Sequence, residues 1–152
     1  MLFVFGSCSR KYYKLQKVNN KKILQFVEGL GITAEVNNGT LHEAHGMMDQ
    51  LSESEANKIR VRLELQADFY AGLWAHHDNK MFNSLEEGDL EEGLEIASRI
   101  GDDYLQERAR GYSVPETFNH GTSEQRARWL KKGFTTGNID KGDTFSPRYN
   151  RL

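Results

Sequence analysis

The sequence predicts a mainly α fold on three observations. Apolar residues recur at i, i+3/i+4 spacing over long stretches, helix-capping patterns open several of those stretches, and alternating strand patterns are almost absent. At 152 residues, with 38% hydrophobic and 28% charged side chains, the chain is long enough to bury one core. Neither a disordered chain nor a collagen-like one is expected from that balance.

Residues 1–22 fit neither a helical nor a strand period and read as an atypical, weakly ordered segment. Ile23, Leu24, Val27 and Leu30 then recur at helical spacing, and Gly29 and Gly31 close a short helix ahead of the Asn37-Asn38-Gly39 turn. A second helix is expected from Thr40 to Met48. The strongest signal begins at Ser52, whose partner Glu55 has capping-box spacing, and continues through Ala56, Ile59, Leu63, Ala67 and Trp74 to about His77, with Asp78-Asn79 ending it. Asp89, three residues before Glu92, caps the next helix, which carries Leu90, Leu94, Ala97 and Ile100. Gly101-Asp102-Asp103 ends that helix and opens another. Thr122 and Gln125 form a third cap, Ala127, Leu130 and Trp129 or Phe134 supply the apolar side, and Gly133 and Gly137 stop the helix. Residues 137–152 read as surface, so the helical domain is expected over 23–146 and a tail over 147–152.

Charge divides the chain unevenly. Residues 1–40 hold six basic side chains against Glu28 and Glu35, a net of +4, while residues 41–152 carry a net of −6. The basic arm lacks the basic-aromatic repetition of a surface that tracks phosphates, so nucleic acid is not an expected partner. No stretch approaches the roughly 20 apolar residues of a membrane helix. The apolar start Met1–Phe5 is too short for a secretory signal, and its basic residues follow it instead of preceding it. Localisation is therefore not assigned. Cys8, the one cysteine, forms no internal disulfide.

Several residues could carry chemistry. Glu64 and Asp68, one turn apart, share a helix face with Ala67, Ala71 and Gly72. They are either a solvated acidic stripe offset by Arg60, or a metal ligand with a second acid behind it and small residues leaving room for another helix. His42 and His45 read as ordinary helix or loop histidines, with substitute ligands as the lesser alternative. His76 and His77 stand where they would cap their own helix C-terminus, Trp74 reads as core, and His120 reads from spacing as a loop histidine.

The stretch Arg62-Leu63-Glu64-Leu65-Gln66-Ala67-Asp68-Phe69-Tyr70-Ala71-Gly72-Leu73-Trp74-Ala75-His76-His77 closely resembles the central motif of the bacterial neutral zinc metallopeptidases. The resemblance continues through Leu85–Glu92, Ile100–Asp103, Val114–Ser123, Gln125-Arg126, Trp129, Gly133 and Asp143-Thr144-Phe145, and covers roughly residues 50–146 in order. It implies the helical carboxy-terminal part of a zincin, in which an HExxH helix supplies two histidine ligands and a glutamate base and a later helix supplies the third ligand.

By that resemblance Glu64 matches the third zinc ligand and Asp68 the acid that orients a ligand histidine. His120 with Arg126 resembles the His-then-Arg pattern of membrane-associated zincins, in which such a histidine stabilises an oxyanion. Some relatives carry cysteines at the positions of Phe69 and Gly142, so no cross-link is implied here. The HExxH sequence is missing: His42-Glu43-Ala44-His45 is one residue short, and the family pattern places the catalytic helix near residues 15–26, where Asn20-Lys21-Lys22-Ile23-Leu24 stands. A truncated, frame-shifted or divergent amino-terminal segment would each account for it. The implied function is zinc-dependent hydrolysis of peptide or protein substrates, with this chain inactive as it stands and zinc weak or absent in it. The rival is a non-catalytic zincin scaffold that binds a protein partner. In either case Glu64, Asp68, His120 and Arg126 are expected to meet in one cleft, because two acids facing a small-residue groove need a cation.

Overall fold

A computed structural model describes residues 40–152, all of whose regular structure is helical. Expectations for residues 1–39, including the weakly ordered segment and the place of the missing HExxH helix, lie outside the described residues. The helices are α1 (Thr40–Met48), α2 (Glu53–Phe82), α3 (Asp89–Arg99), α4 (Asp102–Arg110) and α5 (Ser123–Thr136). Short 3₁₀ turns occupy Pro115–Thr117, Ile139–Lys141 and Tyr149–Arg151. No helix among the described residues is long and apolar enough to cross a membrane.

α2 is the spine. Ser52 Oγ accepts from the Glu55 N–H at 3.4 Å, as its cap spacing predicts. The helix passes through Asp78-Asn79, where the sequence placed its end, because neither side chain acts as a stop. Asp78 is buried, and Asn79 Oδ1 accepts from the Leu85 N–H at 3.1 Å in the following turn. The break comes at Asn83, whose φ of 47° is left-handed and whose N–H returns to Asn79 O at 2.7 Å.

α5 lies along α2 with the backbones nearly touching. A Cβ on Gly72 would sit 2.0 Å from Leu130 O, and one on Gly133 would sit 2.0 Å from Phe69 O. Gly133 therefore does not stop α5, as the sequence suggested, but lets it approach; Gly137, in the left-handed conformation at φ 56°, closes it. Thr122 and Gln125 form the expected capping box, with bonds of 3.1 and 2.9 Å. Asp68 meets Arg126, Gly72 meets Leu130 and His76 meets Phe134, so the partners advance together and the two helices run parallel.

Val61, Leu65, Phe69, Phe118, Trp129 and Leu152 form the main core, and Ala71, Ala97 and Leu130 a second cluster against α3. Each large apolar side chain withdrawn from water contributes roughly 1.5–3 kcal/mol. Trp74 is only half-buried: the core stripe of α2 runs through 61, 65, 69 and 72, and position 74 lies off it. Trp129 is the core tryptophan, edge-on to Phe69 at 6.3 Å.

Residues 142–152 depart from the surface reading too. Gly142, Thr144 and Leu152 are buried, and this segment folds back over α2. Gln66 donates to Gly142 O at 3.2 Å, Arg62 donates to Thr144 O and to Pro147 O, and Thr144 Oγ1 donates to Arg62 O at 2.8 Å. Asp89 also differs from its expected role. Gly88 takes the cap position in a left-handed conformation, and Asp89 Oδ2 reaches back to the Glu86 N–H at 2.8 Å.

Candidate functional site

The close approach of α5 sets the site. Gly72 and Gly133 bring the α5 backbone against α2, and one turn earlier that proximity lays Arg126 over Asp68. Arg126 Nε donates to Asp68 Oδ2 at 2.9 Å and Nη2 to Oδ1 at 3.0 Å, a paired geometry with the guanidinium and the carboxylate both buried. Arg126 Nη2 also lies 3.8 Å from Glu64 Oε2, whose side chain stays 35% exposed. Asp68 is thus no part of a solvated stripe, and Arg60 does not offset it, since Arg60 bonds to Asn57 Oδ1 at 2.7 Å.

His120 stands at the edge of this cluster with about half of its side chain exposed, on the loop that leads into α5. Its Nδ1 lies 3.2 Å from Asp102 Oδ1. Asp102 is the first residue of α4, where the positive end of the helix dipole favours a carboxylate. Its Oδ2 accepts the backbone N–H groups of Asn119 and His120 at 2.7 Å and of Gly121 at 3.1 Å, while its own N–H donates to Gly121 O at 2.8 Å.

Burial pushes the Asp102 carboxyl up, but the hydrogen bonds from the His120 side chain and from the His120 and Asn119 backbone outweigh it, leaving the carboxyl below its ordinary range. The bond to Asp102 lifts the His120 imidazole above its ordinary value; burial opposes this, the charges of Glu64 and Asp102 add to it and that of Arg126 subtracts.

Glu64, Asp68 and Arg126 are therefore together, with the spacing of 62 residues between Glu64 and Arg126 closed by the pairing of α2 with α5, and His120 is bonded to Asp102 within reach of the charges of Glu64 and Arg126. The other histidines lie elsewhere. His42 and His45 are exposed on α1. His76 and His77 do not cap their own helix, which continues past them. Their ring nitrogens instead meet carbonyls at the end of α5, Phe134 O at 2.7 Å and Gly137 O at 3.0 Å. Phe69 and Gly142 are neighbours, since a Cβ on Gly142 would lie 2.6 Å from the Phe69 ring.

Among the described residues no group of three or more His, Cys, Asp or Glu side chains is arranged to hold a metal ion. Glu64 offers one carboxylate with a guanidinium beside it, which does not fit a tetrahedral zinc site by itself. The described cluster can orient a group, supply negative charge and exchange a proton at His120. Asp102 was missed as a site residue. The sequence marked it as a helix boundary and as part of the Ile100–Asp103 stretch of the resemblance, without a role, and nothing local signals its bonds to residues 17 to 19 positions away.

Comparison with known proteins follows the same residues. A family model described as "Putative neutral zinc metallopeptidase" matches residues 26–145. The chain is 40% identical over 126 residues to the uncharacterized protein YpfJ of Escherichia coli strain K12, an alignment covering 79% of this chain and 44% of that protein. It is 38% identical over 95 residues to the uncharacterized protein Rv2575 of Mycobacterium tuberculosis strain H37Rv, covering 57% and 32% respectively. The chain spans less than half the length of these relatives. No solved structure matches it.

Proposed function

The chain belongs to the putative neutral zinc metallopeptidase family, and from that membership we propose that it carries the carboxylate and imidazole half of a peptidase site and does not hydrolyse peptide bonds as it stands. The observation that carries this reading is in the sequence: the 152 residues contain no HExxH, and in the nearest approach to it, His42-Glu43-Ala44-His45 on α1, both histidines are exposed.

In this reading Glu64 is the family's zinc carboxylate, and Asp68 is the acid that would orient a histidine ligand. Arg126 binds Asp68 through both oxygens and lies beside Glu64, which fixes the position of the pair. His120 faces the place where a substrate carbonyl would pass and would stabilise charge developing on it. Zinc, when held by a complete donor set, supplies the activated water of the family's reaction. The described residues do not complete that set, so their own chemistry stops at orientation, charge and proton exchange.

Rebuilding the missing motif tests the reading. Asn20→His, Lys21→Glu and Leu24→His together write His-Glu-x-x-His at the place the family pattern assigns to it. Zinc affinity measured by competition with a chelator is expected to rise, and to rise much less when Glu64→Gln is added. An equal rise in both backgrounds would refute the role of Glu64. A chain that cleaves peptides without the rebuilt motif would refute the inactive reading.

A further inference from the structure

We propose that Asp102 is a positioning residue that holds His120 in the Nδ1–H tautomer, leaving Nε2 as the ring nitrogen offered to an incoming group. The proposal rests on the reading of His120 as the imidazole of this site. Its ground is the division of work between the two oxygens of one carboxylate.

Oδ2 accepts three converging backbone N–H groups, from Asn119, His120 and Gly121, at 2.7, 2.7 and 3.1 Å. Only an acceptor can answer three donors, so this oxygen is fixed where it is. The carboxylate plane then has no freedom left, and Oδ1 is held 3.2 Å from His120 Nδ1. An ionised carboxylate accepts and never donates, so the proton between them belongs to Nδ1. The return bond from the Asp102 N–H to Gly121 O ties the loop from its other side.

The consequence for chemistry lies at one atom. In neutral His120 the lone pair sits on Nε2, ready to accept a proton, and in the protonated ring the same Nε2 donates, as to a carbonyl oxygen gaining charge. An imidazole of the opposite tautomer would present a donor where an acceptor is needed, and exchanging carboxylate for amide at such a position inverts the tautomer.

Asp102→Asn tests this. The three backbone N–H groups still require an oxygen, so the amide oxygen takes the Oδ2 place and its NH₂ group turns to His120 Nδ1. Two donors cannot face each other, and His120 must then carry its proton on Nε2. The readout is the long-range ¹H–¹⁵N spectrum of the full chain with labelled histidine, recorded above the raised His120 value, at a pH where the ring shifts no longer change and the imidazole is neutral. The spectrum of His120→Gln identifies the resonance. The expected result is Nδ1–H in the natural chain and Nε2–H in Asp102→Asn. A carboxylate that merely pinned the loop would leave the half-exposed ring in mixed tautomers. A mixed or Nε2–H ring in the natural chain overturns the proposal, as does an unchanged tautomer in a folded Asp102→Asn chain. If that variant does not fold, the natural chain's spectrum decides alone. Neither zinc nor turnover enters this readout, so the assignment of Glu64 can fail while this one stands, and the reverse.

Discussion

Arg126 grips both carboxylate oxygens of Asp68 across 58 residues of sequence, and the two side chains are 97% and 95% removed from water. A buried charge is tolerated only with a partner, so this pair depends on the register of α5 on α2. It also borders the proposed chemistry, since the same guanidinium lies 3.8 Å from Glu64.

Breaking one side of the pair is expected to be costly. Arg126→Met leaves the Asp68 carboxylate buried without its guanidinium, a loss of about 3–5 kcal/mol in urea unfolding. Replacing both members, with Asp68→Leu added, is expected to recover most of that loss, because the uncompensated charge is gone. A double variant as unstable as the single one would show that the pair's geometry, not its charge balance, holds the helices.

The helix contact makes a second, matched prediction. Gly133→Ala drives a Cβ to 2.0 Å from Phe69 O, which forces the backbones apart at a cost of about 1–3 kcal/mol by thermal unfolding. Gly93→Ala in α3 meets nothing within 4 Å and is expected to stabilise by up to about 1 kcal/mol through helix propensity. Equal effects of the two would contradict the close packing of α2 and α5.

The His120–Asp102 contact gives the protein a pH signature. His120 is raised above its ordinary value, so its contribution is complete below about 6.5 and fades as pH climbs through the raised value. Asp102 is lowered, so its contribution is complete above about 3.9 and fades as pH falls through the lowered value. The contact should therefore stabilise most between about pH 4 and 6.5. The difference in stability between the natural chain and His120→Gln is expected to be larger at pH 5.5 than at pH 8.5, read from urea midpoints; a difference independent of pH would contradict it.

What the sequence disclosed was local. The caps at Ser52 and Thr122 depend on partners three residues away, and both form where the pattern places them. The apolar stripe of α2 was equally visible. Where the outcome depended on distant partners, the pattern was silent or misleading. Gly133 looks like a helix breaker until Phe69 is seen behind it. Leu152 sits in a polar-rich segment yet fills the core beside Phe69 and Trp129. His76 and His77 sit at a plausible helix end but serve the end of α5 instead. In the site, spacing alone left Glu64 and Asp68 undecided between a solvated stripe and a functional pair, and the resemblance supplied the four residues together. Asp102 lay within the resemblance but was given no role by it, and spacing added none, because a carboxylate at a helix start is so common that it carries no signal of a remote loop.

The central claim is that this chain keeps the family's scaffold without a complete zinc donor set, and the zinc content of the purified full chain tests it most directly. After saturation with zinc and exhaustive dialysis against metal-free buffer, elemental analysis is expected to find far less than one zinc per chain. One zinc per chain that survives dialysis and is lost on Glu64→Gln would contradict the account, since it would mean that other residues of this chain complete the site around Glu64.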